Sequence, residues 1–118
     1  MSGPDGELLV CFDLGGVVVR HCRSWEEGCA SAGLDVREPE RMNTPELLAR
    51  RRALSDAHQR GEIDPPSFWR AVAEATDHLY TPEEVERLHH AWLLDEYEGV
   101  AELIAEIAEL PGVTTACL

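Results

Sequence analysis

The run Leu8-Leu9-Val10-Cys11-Phe12 closes on Asp13, and Leu14-Gly15-Gly16 follows before the chain turns apolar again at Val17-Val18-Val19. An apolar run of strand length, bounded by turn residues, reads as a strand buried on both faces, as in a parallel sheet. Asp13 then lies at the carboxyl end of that strand, the edge where open α/β sheets bind ligands. Gly15 and Gly16 have no Cβ, so the backbone can turn sharply there and a ligand can come close to its N–H groups. A carboxylate in that place suits a nucleophile or a metal ligand. It also suits a residue that only caps a turn, and the local pattern leaves both readings open.

The middle of the chain is helical by its punctuation. Ser24-Trp25-Glu26-Glu27 has the form of a capping box, with Gly33 placed to end the helix. Asp35 to Asn43 is charged and irregular. Thr44-Pro45-Glu46 sets an N-cap before a proline at the first helical position, and that helix runs to Arg60 with Gly61 stopping it. Asp64-Pro65-Pro66 and Thr81-Pro82-Glu83-Glu84 repeat the signature, followed by Phe68, Trp69, Val72 and Ala73, then by Val85, Leu88 and Trp92 at helical spacing. A loop at Asp95 to Glu98 leads to a last helix, with Val100, Leu103, Ile104 and Ile107 on one stripe and Glu102, Glu106 and Glu109 toward water. After Pro111-Gly112, the stretch Val113-Thr114-Thr115-Ala116-Cys117-Leu118 has the β-branched character of a second strand. The order is strand, helical insertion, helix, strand, which predicts a parallel crossover pair.

Phe12-Asp13-Leu14-Gly15-Gly16-Val17, near the start of the chain, resembles the first motif of the haloacid dehalogenase superfamily. It is most similar to the phosphatase-like branch with a helical cap, the glucose-phosphatase-like and epoxide-hydrolase N-terminal members. The element order extends the resemblance over the whole chain, with weaker support from Arg60-Gly61-Glu62-Ile63 and from Trp92 to Gly99. The resemblance implies an α/β fold: a Rossmann-like core, of which only the first two parallel strands are present, carrying an inserted α-helical cap. Residues 1–19 would hold the first core strand and nucleophile loop, 20–97 the cap, and 98–118 the core helix and second strand.

The resemblance also implies a chemistry. Asp13 would take a phosphoryl group from a small phosphorylated metabolite as an aspartyl-phosphate, which water then hydrolyses. Mg²⁺ would be held by the Asp13 carboxylate and the Gly15 carbonyl, and phosphate oxygens by the N–H groups of Leu14, Gly15 and Gly16. Many members carry a second aspartate two residues after the first as general acid and base. Here that position is Gly15, which has no side chain to move a proton. The serine or threonine, the lysine and the acidic pair of the later motifs would fall beyond Leu118, so the expectation is a truncated, inactive form. Either self-association or a completing chain would be needed to cover the open core. The rivals are a dehalogenase, in which the same aspartate attacks carbon without a metal, and a non-catalytic helical interaction module or remnant.

Composition bears on partners and setting. With 10 basic and 23 acidic side chains the net charge is −13, which opposes nucleic acid and anionic membrane surfaces. Cys11, Cys22, Cys29 and Cys117 form no Cys-x-x-Cys pair, and Cys11 and Cys117 fall in apolar strand-like runs, where a small buried thiol is the usual state. Met1 to Gly6 has no leader character and no apolar run reaches membrane-spanning length, so a cytoplasmic protein is expected. His21 and Arg20 read as a solvated loop, and His89-His90 as adjacent positions too divergent to share a ligand. His58 and His78 read as charges near helix ends. Trp25, Trp69 and Trp92 read as core of the helical part, and Asp64, Asp95 and Glu96 as capping or solvated.

Overall fold

The computed structural model describes residues 6–118, so the reading of Met1 to Gly6 lies, but for Gly6, outside the described residues. Its elements are β1 (Leu8–Phe12), β2 (Val19–His21), α1 (Trp25–Ala32), α2 (Pro39–Met42), α3 (Pro45–Gln59), α4 (Pro65–Ala75), α5 (Pro82–His90), β3 (Leu93–Glu96), α6 (Val100–Ala108) and β4 (Val113–Cys117). The fold is mixed α/β. It divides into a helical unit, Cys22–Trp92, and a strand unit made of the chain up to His21 together with Leu93–Leu118.

The helical unit follows its caps. Ser24, Thr44, Asp64 and Thr81 each accept a hydrogen bond from the backbone N–H three residues on, satisfying a donor that the first helical turn leaves open. Each such cap contributes about 1 kcal/mol. Thr81 and Glu84 close a full capping box. Gly33 ends α1 in the left-handed conformation, φ 70°, and its N–H reaches the Cys29 and Ala30 carbonyls. The apolar faces meet in one core that includes Trp25, Cys29, Met42, Phe68, Trp69, Val72, Tyr80, Val85 and Leu88, with Trp92 packed against it.

Tyr80 is fully buried, and its hydroxyl is satisfied on both sides. It accepts from the Arg37 N–H at 2.7 Å and donates to the Asp35 carbonyl at 3.2 Å. Arg37 in turn grips Glu84 with two bonds of 2.7 and 2.6 Å, the bidentate geometry that suits guanidinium and carboxylate. That hydrogen-bonded arginine pulls the Glu84 carboxyl down to about 2. The stretch Asp35 to Asn43, expected to be irregular, contains α2. One turn opened by Pro39 is too short to show a helical period in sequence.

In the strand unit β1 and β4 pair in parallel, Leu8 opposite Val113 through Phe12 opposite Cys117. The Leu8 N–H to Gly112 carbonyl bond (2.7 Å) and the Leu118 N–H to Phe12 carbonyl bond (2.9 Å) extend the ladder at both ends. The crossover pair is therefore as the element order predicts. Burial of β1 on both faces is not: Leu8, Leu9 and Cys11 are exposed, and Val10 and Phe12 half-buried. A two-stranded sheet with α6 against β4 has too little surface to cover itself. For the same reason Cys11 and Cys117 are exposed rather than buried, and no residue of α6 is buried, with Leu103 left 51 % exposed on the expected stripe.

A second sheet departs from the sequence reading. Val19–His21, straddling the expected boundary between the nucleophile loop and the helical insertion, and Leu93–Glu96, expected at the end of that insertion and in its exit loop, pair antiparallel as β2 and β3. Each is only three or four residues long, and their pairing spans the whole helical unit. Among the described residues no helix is long and apolar enough to cross a membrane.

Candidate functional site

Asp13 follows the last residue of β1 and is exposed to solvent. The next six residues fold back as a tight turn. The Leu14 carbonyl receives the N–H groups of Val17, Val18 and Val19 at 3.4, 3.0 and 2.9 Å, and the Gly16 N–H returns to the Val19 carbonyl at 2.9 Å. Val19 then opens β2, and the Tyr97 N–H binds the Val18 carbonyl at 3.1 Å beyond β3. The turn is thus anchored at both ends by β-ladders. Val18, beneath it, is the one buried hydrophobic of the strand unit among the described residues.

The two glycines differ. Gly16 has φ 79°, a conformation that costs an L-residue on the order of 1 kcal/mol, and an added Cβ would lie 3.3 Å from His21 Nε2. Gly15 has no such φ, and a Cβ there would meet nothing within 4 Å. Glycine is therefore favoured at Gly16, while the position of Gly15 is open to a side chain.

Of the expected phosphate-binding amides, Gly16 is already committed to Val19. Among the described residues the Leu14 and Gly15 N–H groups have no acceptor. The Asp13 carboxylate and the Gly15 carbonyl are hard oxygen donors, the type that Mg²⁺ takes with one or two carboxylates and its own waters. This donor set fits that ion. Among the described residues no cluster of three or more His, Cys, Asp or Glu side chains forms that could hold a metal by itself.

His21, read as part of a solvated loop, is instead in β2 with its ring against Gly16. Nothing local in the sequence marks this, because it depends on the β2–β3 pairing. The remaining candidates are not gathered at Asp13. Asp64 caps α4, and Asp95 and Glu96 are exposed in β3 rather than in a loop. His58 stacks on Phe68 with 4.4 Å between ring centroids, and His89 lies 4.9 Å from Trp69. Trp25 and Trp69 are buried in the helical core, as expected. Burial pushes the Cys22 and Cys29 thiols up from their ordinary pKa, so both remain protonated packing groups.

Comparison with protein-family models, with curated proteins and with solved structures finds no match to this chain.

Proposed function

We propose that Asp13 is the nucleophile of a haloacid-dehalogenase-like hydrolase of phosphatase type, acting on a small phosphorylated metabolite. The observation that supports this most is the parallel β1–β4 pair, which puts an exposed carboxylate just past its carboxyl edge, at the head of a tight glycine turn with two uncommitted amides. In this reading the β1–β4 pair with α6 is the start of a Rossmann-like core and the helical unit its cap. Further strands, from the same protein or a completing chain, cover the exposed faces of β1 and β4.

An Asp13 oxygen attacks phosphorus, the P–O bond to the metabolite breaks, and the departing oxygen takes a proton from water. Water then attacks the aspartyl-phosphate and releases inorganic phosphate, restoring the carboxylate. The Leu14 and Gly15 amides hold the phosphoryl oxygens while this happens. The Asp13 carboxylate and the Gly15 carbonyl would hold Mg²⁺, which when bound would supply the charge neutralisation that lets a carboxylate and a phosphate approach. Gly15 contributes no proton, so leaving-group protonation is the weak step.

The test is hydrolysis of p-nitrophenyl phosphate and of sugar phosphates by the longest product its gene encodes. Asp13→Asn should lower turnover by at least about 10³-fold. Chelating Mg²⁺ should abolish it. Gly15→Asp, which the free space at that Cβ admits, should raise turnover about tenfold or more by supplying a general acid. Turnover that survives Asp13→Asn removes the reading, and metal-independent release of halide from 2-haloacids would replace it with the dehalogenase.

A further inference from the structure

The helical unit contains an open cleft of about 440 Å³, a size that suits a small organic ligand. Its apolar lining includes Trp25, Phe68 and Trp92, and its polar lining includes Arg23, Arg51 and Arg52. The chain as a whole has 10 basic residues, all of them arginine, against 23 acidic ones. Inside the cleft the balance is reversed: three guanidinium groups line it with one carboxylate, Asp56. Among the described residues Arg23, Arg51 and Arg52 make no ion pair, whereas Arg37, Arg41 and Arg60 each have a carboxylate in contact.

Arg51 is held in place as a fixed charge. One Nη donates to the Met42 carbonyl at 3.1 Å, and the guanidinium carbon lies 4.9 Å from the centre of the Trp25 ring. Its Nε is buried without an acceptor. Desolvation lowers its pKa from the usual arginine value, and Glu26 is near enough to oppose that without touching it. Glu26 is itself taken by the Asn43 amide at 2.5 Å. An arginine does not give up its proton at any ordinary pH, so Arg51 remains a half-buried cation with no carboxylate in direct contact among the described residues. Desolvation, with His58 and His90 nearby, lowers the pKa of His89, another lining residue.

We propose that this cleft binds a small organic anion, its carboxylate or phosphate paired with Arg51 and Arg52 and its apolar body against the more exposed lining residues Leu48 and Trp92. The site stands apart from the Asp13 reading, since no residue of the turn from Asp13 to Val19 lines it.

Tryptophan fluorescence of the full chain, titrated without metal, tests it, because Trp25 and Trp92 report from the cleft. Benzoate and phenyl phosphate are the anionic probes and benzyl alcohol the neutral one. A saturable change with at least one anion, and none with the alcohol, is expected; the tighter of the two anions identifies the headgroup. Arg51→Gln should weaken binding about tenfold and the exposed Arg52→Gln about threefold. Arg70→Gln should leave it unchanged, and Asp13→Asn should also, which separates this site from the turn. Equal binding of the alcohol, no saturation by either anion at millimolar concentration, or wild-type affinity in Arg52→Gln overturns the proposal. Should Arg51→Gln lose its helical circular dichroism, Arg52→Gln decides.

Discussion

The two units of this protein differ in how much of their apolar surface they bury. Between Cys22 and Trp92 five helices share a core in which Tyr80, Met42 and Cys29 are fully buried. In the strand unit Val18 alone is buried among the described hydrophobics, while Leu8, Leu9, Leu93, Leu103 and Leu110 face solvent. Yet the strand unit carries Asp13, and the turn after it holds Gly16 at a positive φ. The contrast has a physical root. Helices satisfy their own backbone and need only one apolar face covered, which four capped segments can do for one another. A pair of parallel strands leaves both faces and both outer edges open, and one helix cannot close them.

The largest test of this contrast removes the centre of the helical core. Tyr80→Ala leaves a cavity and orphans the Arg37 N–H, and should cost about 3–5 kcal/mol in denaturant unfolding. Leu103→Ala in α6 should cost less than about 1 kcal/mol, since half of that side chain is already in water. Comparable losses would erase the distinction between the units.

Gly28→Ala sharpens it. A Cβ there would lie 2.8 Å from Trp92 Cζ3 and 3.0 Å from Leu88 Cδ2, so the tight packing of α1 on α5 should make this small change cost about 1–3 kcal/mol. Thermal unfolding measures it, and a neutral effect would mean the helical core is loose.

Acid should act on the helical unit through Glu84. Its carboxyl is at about 2 when folded and near 4.5 when free, so the folded state favours the ionised form. The Arg37–Glu84 contribution is complete above pH 4.5 and is lost as pH falls toward 2. Glu84→Gln should lower stability at pH 7 by about 1 kcal/mol and flatten the pH dependence in that window. An unchanged acid profile in the variant would show that the pair contributes nothing.

The smallest effects lie in the turn. Gly16→Ala should destabilise by about 1 kcal/mol through its positive φ and the His21 contact, and Gly15→Ala by less than about 0.5 kcal/mol. Equal penalties would contradict the different roles given to the two glycines.

What could be read in the sequence was what local chemistry decides. Ser24, Thr44, Asp64 and Thr81 mark helix starts because a side-chain oxygen three residues before an open N–H is a purely local device. The parallel β1–β4 pair followed from element order. Tyr80 was also legible in principle: it precedes the N-cap Thr81, with Val85 at the spacing of a hydrophobic staple, and both are buried. What escaped depends on distant partners. Val19–His21 is a strand only because Leu93–Glu96 lies beside it, and Arg37 finds Glu84 47 residues away. The exposure of Cys11 and Cys117 was hidden for a similar reason: an apolar strand implies burial only when other elements exist to cover it. At the candidate site, Asp13, Leu14, Gly15 and Gly16 stand out in sequence, but the commitment of the Gly16 amide and the approach of His21 are products of the fold.

The most direct measurement is covalent. The longest gene product is incubated with acetyl phosphate and Mg²⁺, reduced with borohydride to trap any acyl phosphate, and its peptides are sequenced by mass spectrometry. Conversion of Asp13 to the reduced alcohol, absent without phosphoryl donor and absent in Asp13→Asn, is the predicted result. An unmodified Asp13 in protein that hydrolyses the donor would contradict its role as nucleophile.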